Sequence, residues 1–351
     1  MENLVDYNIQ FSASSPILFP TEIHLGIVEF PDGTFRDIPK RFPIQGEWGE
    51  IISNQIRLHE KSAMPVNLFL IWLSITEQKF YKLSLNFPSK AMELLWSHDK
   101  TADGESLFSH IVIGMAPLGN VAIWFRGYKK SCIIALAKGS LCKVKMDEFL
   151  PNNPNMSISD YCNYYLKNGV IERNISYGSP VSFMFEKCMQ QFTYRYRIIF
   201  SDFNIDEKKW ANIDNEKEKP VMRCIENILY DGTHDKLHDD GLLNYHQAGK
   251  PKKLAVKWHI KKSEYMAYFW FEDEEIRAIF DHFYGAHPET KTDFMIRIDA
   301  EQNKYELALY RYGLKEPQVI NESAYQLLVF KNKFEYYRSE NYNQPRGAWI
   351  W

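Results

Sequence analysis

Short stretches in which apolar and polar residues alternate recur along the chain, and this period of two is typical of half-buried β-strands. The clearest is Tyr-Glu-Leu-Ala-Leu-Tyr at 305–310, which predicts one buried and one solvated face. Strands are also predicted at 67–75 and 253–260, and each is followed by a polar turn and a second strand, at 82–87 or at 266–271. The pattern therefore favours antiparallel sheets.

Apolar residues at helical spacing follow each of these strand pairs and predict one helix in each place. Ser89 is the expected N-cap of the first helix and Asp273 that of the second. The apolar stripes consist of Met92, Leu95 and Trp96 in the first helix and of Ile276, Ile279, Phe280 and Phe283 in the second. A hairpin is predicted after each helix, with its turn at 117–120 or at 302–304.

Four earlier or connecting segments complete the prediction. Helices are expected at 157–169 and 219–232, since each has an apolar face and ends at a glycine. Strands are expected at 21–30 and 194–203, and these two are candidates for equivalent positions.

The same blocks recur at a fixed separation along the chain. Trp72 and Trp258 stand 186 residues apart, and the predicted strands at 121–127 and 307–313 keep this separation. A repeat of this kind indicates a duplicated domain.

We therefore predict an α+β fold with two similar domains, 1–165 and 166–351, each an antiparallel sheet with one or two packed helices. The large apolar residues at matching positions are expected in the two cores. They are Leu68, Trp72, Tyr81, Trp124, Leu254, Trp258 and Tyr265.

Composition excludes several classes of protein. The net charge is −3, whereas a nucleic-acid partner usually requires a basic face. The five cysteines include no Cys-x-x-Cys pair, so we expect no disulfide framework, no zinc ribbon and a reducing compartment. No cofactor is expected. The N-terminus lacks the pattern of a signal peptide, and the longest apolar run, 68–73, is too short for a bilayer. A cytoplasmic protein without a membrane span is expected.

One set of residues resembles the pattern of a bacterial family, number 2931 among the domains of unknown function. Its members have a proline before a strand, a Trp-Ser step, a tyrosine, a proline that opens a helix, and a Gly-x-x-Pro-x-Gly turn before a strand with tryptophan. The matching residues here are Pro65, Trp72, Ser74, Tyr81, Pro88, Gly114, Pro117, Gly119 and Trp124. The resemblance covers roughly residues 20–130, and the second copy keeps Pro251, Trp258 and Tyr265.

The resemblance implies a function that the residues themselves do not show. Many members of this family look like lipoproteins, but this sequence has no lipobox. Some similar genes lie beside antibacterial toxins of contact-dependent or type VI secretion systems. The resemblance therefore implies an immunity protein, which binds a cognate toxin and occludes its active site.

Two segments are candidate contacts for such a partner. Residues 202–240 contain eleven acidic and six basic residues, an excess of five negative charges that could steer the protein toward a basic toxin surface. The candidates there are Asp206, Glu207, Trp210, Asp214, Glu216, Asp235, Asp239 and Asp240. The polar and aromatic segment 334–351 adds Arg338, Tyr342 and Arg346. The alternatives are a solvated acidic face and a C-terminal tail packed on the second domain.

Two other functions stay open. His234, His238 and His246 lie among aspartates, and a helix would place the first two on one face for a metal-dependent hydrolase, although flanking glycines favour a loop. Surface aromatic residues could instead bind carbohydrate or the cell envelope. The acidic run at 272–275 is explained by its place at a helix start, and no catalytic motif is present, so no catalytic or metal-binding residue is assigned.

Overall fold

The computed structural model describes residues 7–16, 19–38, 43–44, 48–51, 63–100, 104, 106–127, 130–168, 181–200, 220–238, 244–299 and 301–342. Strands account for 50% of the structure and helices for 18%, so the fold consists mostly of sheets. The chain divides into two compact units. Unit 1 comprises Met1–Cys188 with Asp231–Thr233, and unit 2 comprises Met189–Tyr230 and His234–Trp351. This division lies later in the chain than the predicted boundary at 165/166.

The described part of unit 1 contains two sheets. In chain order the strands are β1 (Gln10–Ser14), β2 (Thr21–Glu29), β3 (Phe35–Asp37), β4 (Asn67–Ser74), β5 (Lys79–Asn86), β6 (His110–Met115), β7 (Asn120–Arg126), β8 (Ser131–Lys138) and β9 (Ser140–Cys142). They are ordered β1-β6-β7-β8 and β3-β2-β4-β5-β9. Helix α1 (Ser89–His98) lies between β5 and β6, and α2 (Met146–Phe149), α3 (Ile158–Asn168) and α4 (Val181–Met189) follow β9.

The described part of unit 2 also contains two sheets. The strands are β10 (Phe192–Phe200), β11 (Val221–Leu229), β12 (His234–His238), β13 (His246–Ala248), β14 (Pro251–Ile260), β15 (Ser263–Phe271), β16 (Thr292–Ile298), β17 (Tyr305–Tyr310), β18 (Gln318–Ile320), β19 (Tyr325–Lys331) and β20 (Phe334–Arg338). They are ordered β13-β10-β16-β17-β18 and β12-β11-β14-β15-β19-β20. Helix α5 (Asp273–Tyr284) lies between β15 and β16 in the chain.

The strand orders of the two units correspond, except that β13 and β20 at the sheet edges of unit 2 have no counterpart among the described strands of unit 1. Each unit has one parallel pair, β1 with β6 and β10 with β16, and the remaining pairs named here are antiparallel. The order β2-β4-β5-β9 in unit 1 matches β11-β14-β15-β19 in unit 2. The predicted equivalence of the strands at 21–30 and 194–203 is therefore wrong, because β2 corresponds to β11, while β10 corresponds to β1.

The helix predicted at 219–232 is also wrong, since Val221–Leu229 forms β11. This strand pairs with β12 on one side and with β14 on the other. Residues 224–229 are buried without interruption, so both faces of the strand are covered. When both faces of a strand are buried, its apolar residues can resemble the apolar stripe of a helix. Tertiary pairing then decides whether the segment forms a strand or a helix.

The helices at 157–169 and after each hairpin are confirmed as α3, α1 and α5, but their caps differ from the prediction. The N-cap positions are Pro88 and Glu272, and neither side chain makes a capping hydrogen bond. The Ser89 hydroxyl instead donates to the Pro65 carbonyl oxygen at 2.6 Å. This bond joins the start of α1 to the chain just before β4.

The doubled tryptophan and tyrosine form the same cross-strand pair in both units. Trp72 stands opposite Tyr81 between β4 and β5, and Trp258 stands opposite Tyr265 between β14 and β15. The ring centroids lie 5.6 Å apart at 27° in unit 1 and 5.5 Å apart at 7° in unit 2. All seven residues expected in the cores are buried.

Two glycines of the family pattern are explained by close contacts with buried aromatic rings. Gly119 has a φ of +75°, and a Cβ added there would lie 2.8 Å from the Tyr81 ring. A Cβ added at Gly114 would lie 2.4 Å from the Trp124 ring. Both positions therefore require the smallest residue.

The two tryptophans differ in the environment of the indole N–H group. That of Trp258 donates to the Gln302 side-chain oxygen at 2.9 Å. The indole nitrogen of Trp72 is buried and has no hydrogen-bond partner within the described residues. A buried donor of this kind carries a desolvation cost that the Gln302 bond offsets in unit 2.

Replacing Trp258 by Phe is expected to destabilise unit 2 more than Trp72→Phe destabilises unit 1. Both changes remove similar ring volume, but only the first removes a buried hydrogen bond, which adds about 1–2 kcal/mol to the loss of unfolding free energy. Urea titration with hydrogen–deuterium exchange of peptides from each unit measures the two losses. Equal losses would contradict the role assigned to the Gln302 bond.

A smaller apolar cluster lies on the outer face of the sheet β3-β2-β4-β5-β9. It joins Leu73 and Phe80 of the sheet, and Ile75 just after β4, to Phe149, Tyr161 and Cys162 of α2 and α3. The Tyr161 hydroxyl donates to the Glu22 carboxyl group of β2 at 2.5 Å. Burial raises the pKa of Glu22 to about 7, and the bond from Tyr161 offsets only part of this rise.

Unit 1 is expected to lose stability as the pH rises. The pKa of Glu22 is about 7 in the folded chain against an ordinary value of 4.5, so the protonated group's contribution is complete below about pH 4.5 and is lost as the pH rises through 7. The free energy of unfolding should fall by about 1–3 kcal/mol between pH 5 and pH 8. Urea midpoints measured across this range test the prediction.

Glu22→Gln is the matched control for this pH dependence. The amide keeps an oxygen that can accept from Tyr161 but does not titrate. The variant should therefore show a flatter pH profile, and a slope as steep as that of the natural chain would rule out Glu22 as its source.

Candidate partner-binding surface

Most residues of the predicted acidic contact lie outside the described part of the chain. Outside the described residues lie Asp206, Glu207, Trp210, Asp214, Glu216, Asp239, Asp240 and Arg346. Asp235 is half-buried on β12, and its carboxylate accepts from the backbone N–H of Lys236 at 2.8 Å. The acidic contact therefore stays a prediction.

The histidine-rich segment begins as a strand, contrary to the loop that its glycines favour. His234 and His238 stand at the two ends of β12. Four strand steps separate them by about 13 Å, which is too far for two ligands of one ion. His246 begins β13, which belongs to the other sheet. Among the described residues, no group of three or more His, Cys, Asp or Glu side chains could hold a metal ion.

The outward positions of β15 carry large apolar side chains. Met266, Tyr268 and Trp270 are half-buried, and they alternate with the buried core residues of the same strand. An antiparallel strand with one core face usually has polar residues on the other. The outer face of β15 departs from that pattern at three successive positions.

In unit 1 the matching strand has polar residues at these outward positions. The opposed pairs Trp72–Tyr81 and Trp258–Tyr265 align β5 with β15. The positions of Met266, Tyr268 and Trp270 are then occupied by Lys82, Ser84 and Asn86, all three exposed. Packing of the core therefore does not require aromatic residues at these positions.

Neighbouring rings extend the apolar face into a continuous surface. Tyr268 lies 5.8 Å from Trp270 with the rings 24° apart, and 5.9 Å from Phe330 of β19 in an edge contact. Tyr342 lies 6.0 Å from Trp270. We call the set Met266, Tyr268, Trp270, Phe330 and Tyr342 the aromatic surface.

The turn after β20 places Tyr342 on this surface. Ser339 exchanges two hydrogen bonds with the backbone of Leu327, one through its own N–H and one through its hydroxyl. The Asn341 side chain donates to the carbonyl oxygens of Glu322 and Tyr325 at 3.0 and 2.9 Å. These bonds hold the chain against β19, so hydrogen bonds within unit 2 fix the position of Tyr342.

Charged side chains border the aromatic surface. Lys253 stands opposite Trp270 and Lys257 stands opposite Met266 on β14. The Lys257 ammonium group lies 3.0 Å from the Glu264 carboxylate. Arg338, at the end of β20, is exposed and lies 3.6 Å from Glu335. An apolar centre with a charged rim is the usual composition of a protein–protein interface.

Sequence reasoning found two members of this region and missed four. Arg338 and Tyr342 were predicted contacts, and the structure places them at the rim and on the surface. Met266, Tyr268, Trp270 and Phe330 were not predicted as contacts. The available signal was the unbroken apolar run at 265–271, which fails to alternate where the matching run at 81–87 does.

A comparison with known families gives a match within unit 1. Residues 5–171 match the family described as Protein of unknown function (DUF2931). This segment, just under half of the chain, is similar to that family. The resemblance seen in Pro65, Trp72, Tyr81 and the Gly114–Gly119 turn is thereby confirmed. No curated protein and no solved structure matches the chain.

None of the described helices has both the length and the apolar character needed to cross a bilayer.

Proposed function

We propose that this chain is an immunity protein that binds a cognate antibacterial toxin and covers its active site. The aromatic surface of unit 2 is the observation that carries the proposal. Tyrosine, tryptophan and methionine are enriched at the centres of protein interfaces, where their burial supplies most of the binding energy.

The comparison between the two units supports a binding role for this surface. The core that both units share does not require apolar residues at these outward positions, so their presence on one unit alone points to a separate role there. Unit 1 has Lys82, Ser84 and Asn86 at these positions, and its β4–β5 pair keeps the same register. The contrast fits a duplicated α+β domain in which one copy keeps exposed polar residues at these positions and the other binds a partner.

The acidic segment 202–240 has a separate part in this proposal. Its excess of negative charge would steer a toxin with a basic surface toward the chain and raise the association rate more than the affinity. Aromatic contacts would then hold the complex. The toxin would belong to a type VI or contact-dependent system, and the immunity protein would act in the cytoplasm.

A carbohydrate- or envelope-binding module is the second candidate. Tyr268 and Trp270 stack with their rings only 24° apart, and flat aromatic faces of this kind suit the apolar faces of sugars. A metal-dependent hydrolase draws less support, because β12 keeps His234 and His238 at opposite ends.

Substituting the aromatic surface with the residues of unit 1 is expected to abolish toxin binding. The triple variant Met266→Lys, Tyr268→Ser and Trp270→Asn removes three central contacts while using side chains that the same scaffold accepts. The dissociation constant for the product of the neighbouring toxin gene should rise by at least about a hundredfold. Calorimetry with the purified pair and rescue of toxin-exposed cells measure the effect.

The control variant carries Lys82→Ala, Ser84→Ala and Asn86→Ala on unit 1. It should bind and protect like the natural chain. Unchanged binding by the unit 2 variant would remove the aromatic surface from the interface. Failure of the natural chain to bind the neighbouring product, together with binding on a glycan array, would favour the carbohydrate module.

A further inference from the structure

The outer face of the other sheet of unit 2 carries cationic side chains around one buried carboxylate. Asp293 of β16 accepts from Arg195 of β10, with 2.7 Å between Nε and Oδ1 and 3.4 Å between Nη2 and Oδ2. The Tyr245 hydroxyl also donates to Oδ1, at 2.9 Å. Arg197 places Nη1 3.6 Å from Oδ2.

Tyr245 brings a further cation into this group. Its ring centroid lies 4.6 Å from the Arg195 guanidinium carbon and 5.5 Å from the Lys291 ammonium nitrogen. Two cations on one ring are held by attraction to its π face. We call Arg195, Arg197, Tyr245, Lys291 and Asp293 the cationic cluster. Its three cations and one carboxylate leave two positive charges in excess.

Asp293 acts as the internal partner that positions the cluster. Burial by itself would raise the pKa of its carboxyl group, but the bonds from Arg195 and Tyr245 and the charges of Arg195 and Arg197 outweigh this and lower it. The carboxylate is therefore ionised at neutral pH. It engages Arg195 on two atoms and Arg197 only at longer range, and the Arg197 side chain is 52% exposed.

The two matching positions of unit 1 carry small residues. Strand registers align Arg195 with Ser12 and Arg197 with Ser14. Both serines are buried, and the Ser14 hydroxyl accepts from the backbone N–H of Gly49 at 3.1 Å. That face serves internal packing in unit 1, whereas unit 2 has long cationic side chains at the same two positions.

We infer that the cationic cluster is a second interaction surface, which binds a carboxylate-rich segment of a partner protein. A guanidinium group matches a carboxylate through two parallel hydrogen bonds, and Arg197 retains exposed donors for this purpose. Lys291 supplies a second charge beside it.

An acidic protein segment fits this surface better than nucleic acid. A phosphate backbone needs a row of cations along several nucleotides, whereas here three cations gather around one point. The central Asp293 would repel a continuous polyanion, while separate carboxylates can bind to Arg197 and Lys291 on its rim.

The test uses the full chain and a hexaglutamate peptide, with binding followed by calorimetry at low salt. The natural chain should bind hexaglutamate and not hexalysine. Arg197→Gln should weaken binding about tenfold, since it removes a charge-assisted contact, and Lys291→Gln should weaken it as well. Urea midpoints of both variants verify that unit 2 remains folded.

Arg297→Gln is the matched control. Arg297 is on the same face and carries the same charge, but it is paired with Glu306 at 3.0 Å. Its loss should leave hexaglutamate affinity within about twofold. Equal effects of Arg197→Gln and Arg297→Gln, no binding by the natural chain, or tighter binding of a single-stranded oligonucleotide to the same cluster would each overturn the inference.

Discussion

Each unit is organised around a tryptophan that stacks on the tyrosine opposite it in the next strand. A stacked pair of this kind buries a large apolar area and fixes the register of the hairpin. In unit 1 the Tyr81 hydroxyl donates to Glu77 at 2.9 Å, and Glu77 also accepts from the backbone N–H of Leu118 at 2.9 Å. The turn at Gly119 packs on the same ring. The family pattern therefore describes the surroundings of one interaction, including residues from two hairpins.

Because successive residues of a strand point to opposite faces, the stack constrains only one face of each sheet. The other face is free to take a different role in each unit. On β5 that face carries the exposed polar residues Lys82, Ser84 and Asn86, whereas the matching positions on β15 are half-buried and apolar. On β1 it consists of small packing residues, whereas on β10 it carries arginines. Two units with one scaffold thus present different surfaces, which is the physical basis of the proposed division between support and binding.

Two buried carboxyl groups show how local partners decide charge. Glu22 has a neutral tyrosine as its hydrogen-bond donor, so the cost of burial dominates and its pKa rises. Asp293 receives a hydrogen bond and a full charge from Arg195, with further bonds and charge from Tyr245 and Arg197, and its pKa falls. One group therefore stabilises a helix contact mainly when protonated, and the other organises cations while ionised.

The sequence alone determined the strands of each hairpin, helices α1, α3 and α5, the repeat of 186 residues and the family resemblance of the first unit, because these depend on local periodicity and on residue types at fixed spacing. Tertiary structure decided the rest. Residues 219–232 form a strand because neighbours cover both of its faces, a condition that mimics a helical period in sequence. The aromatic surface joins β15 to β19 and to the turn after β20, and the cationic cluster joins Arg195 to Asp293 across 98 residues. Strand pairing between such distant segments sets those contacts, and no local pattern encodes which strands will lie side by side.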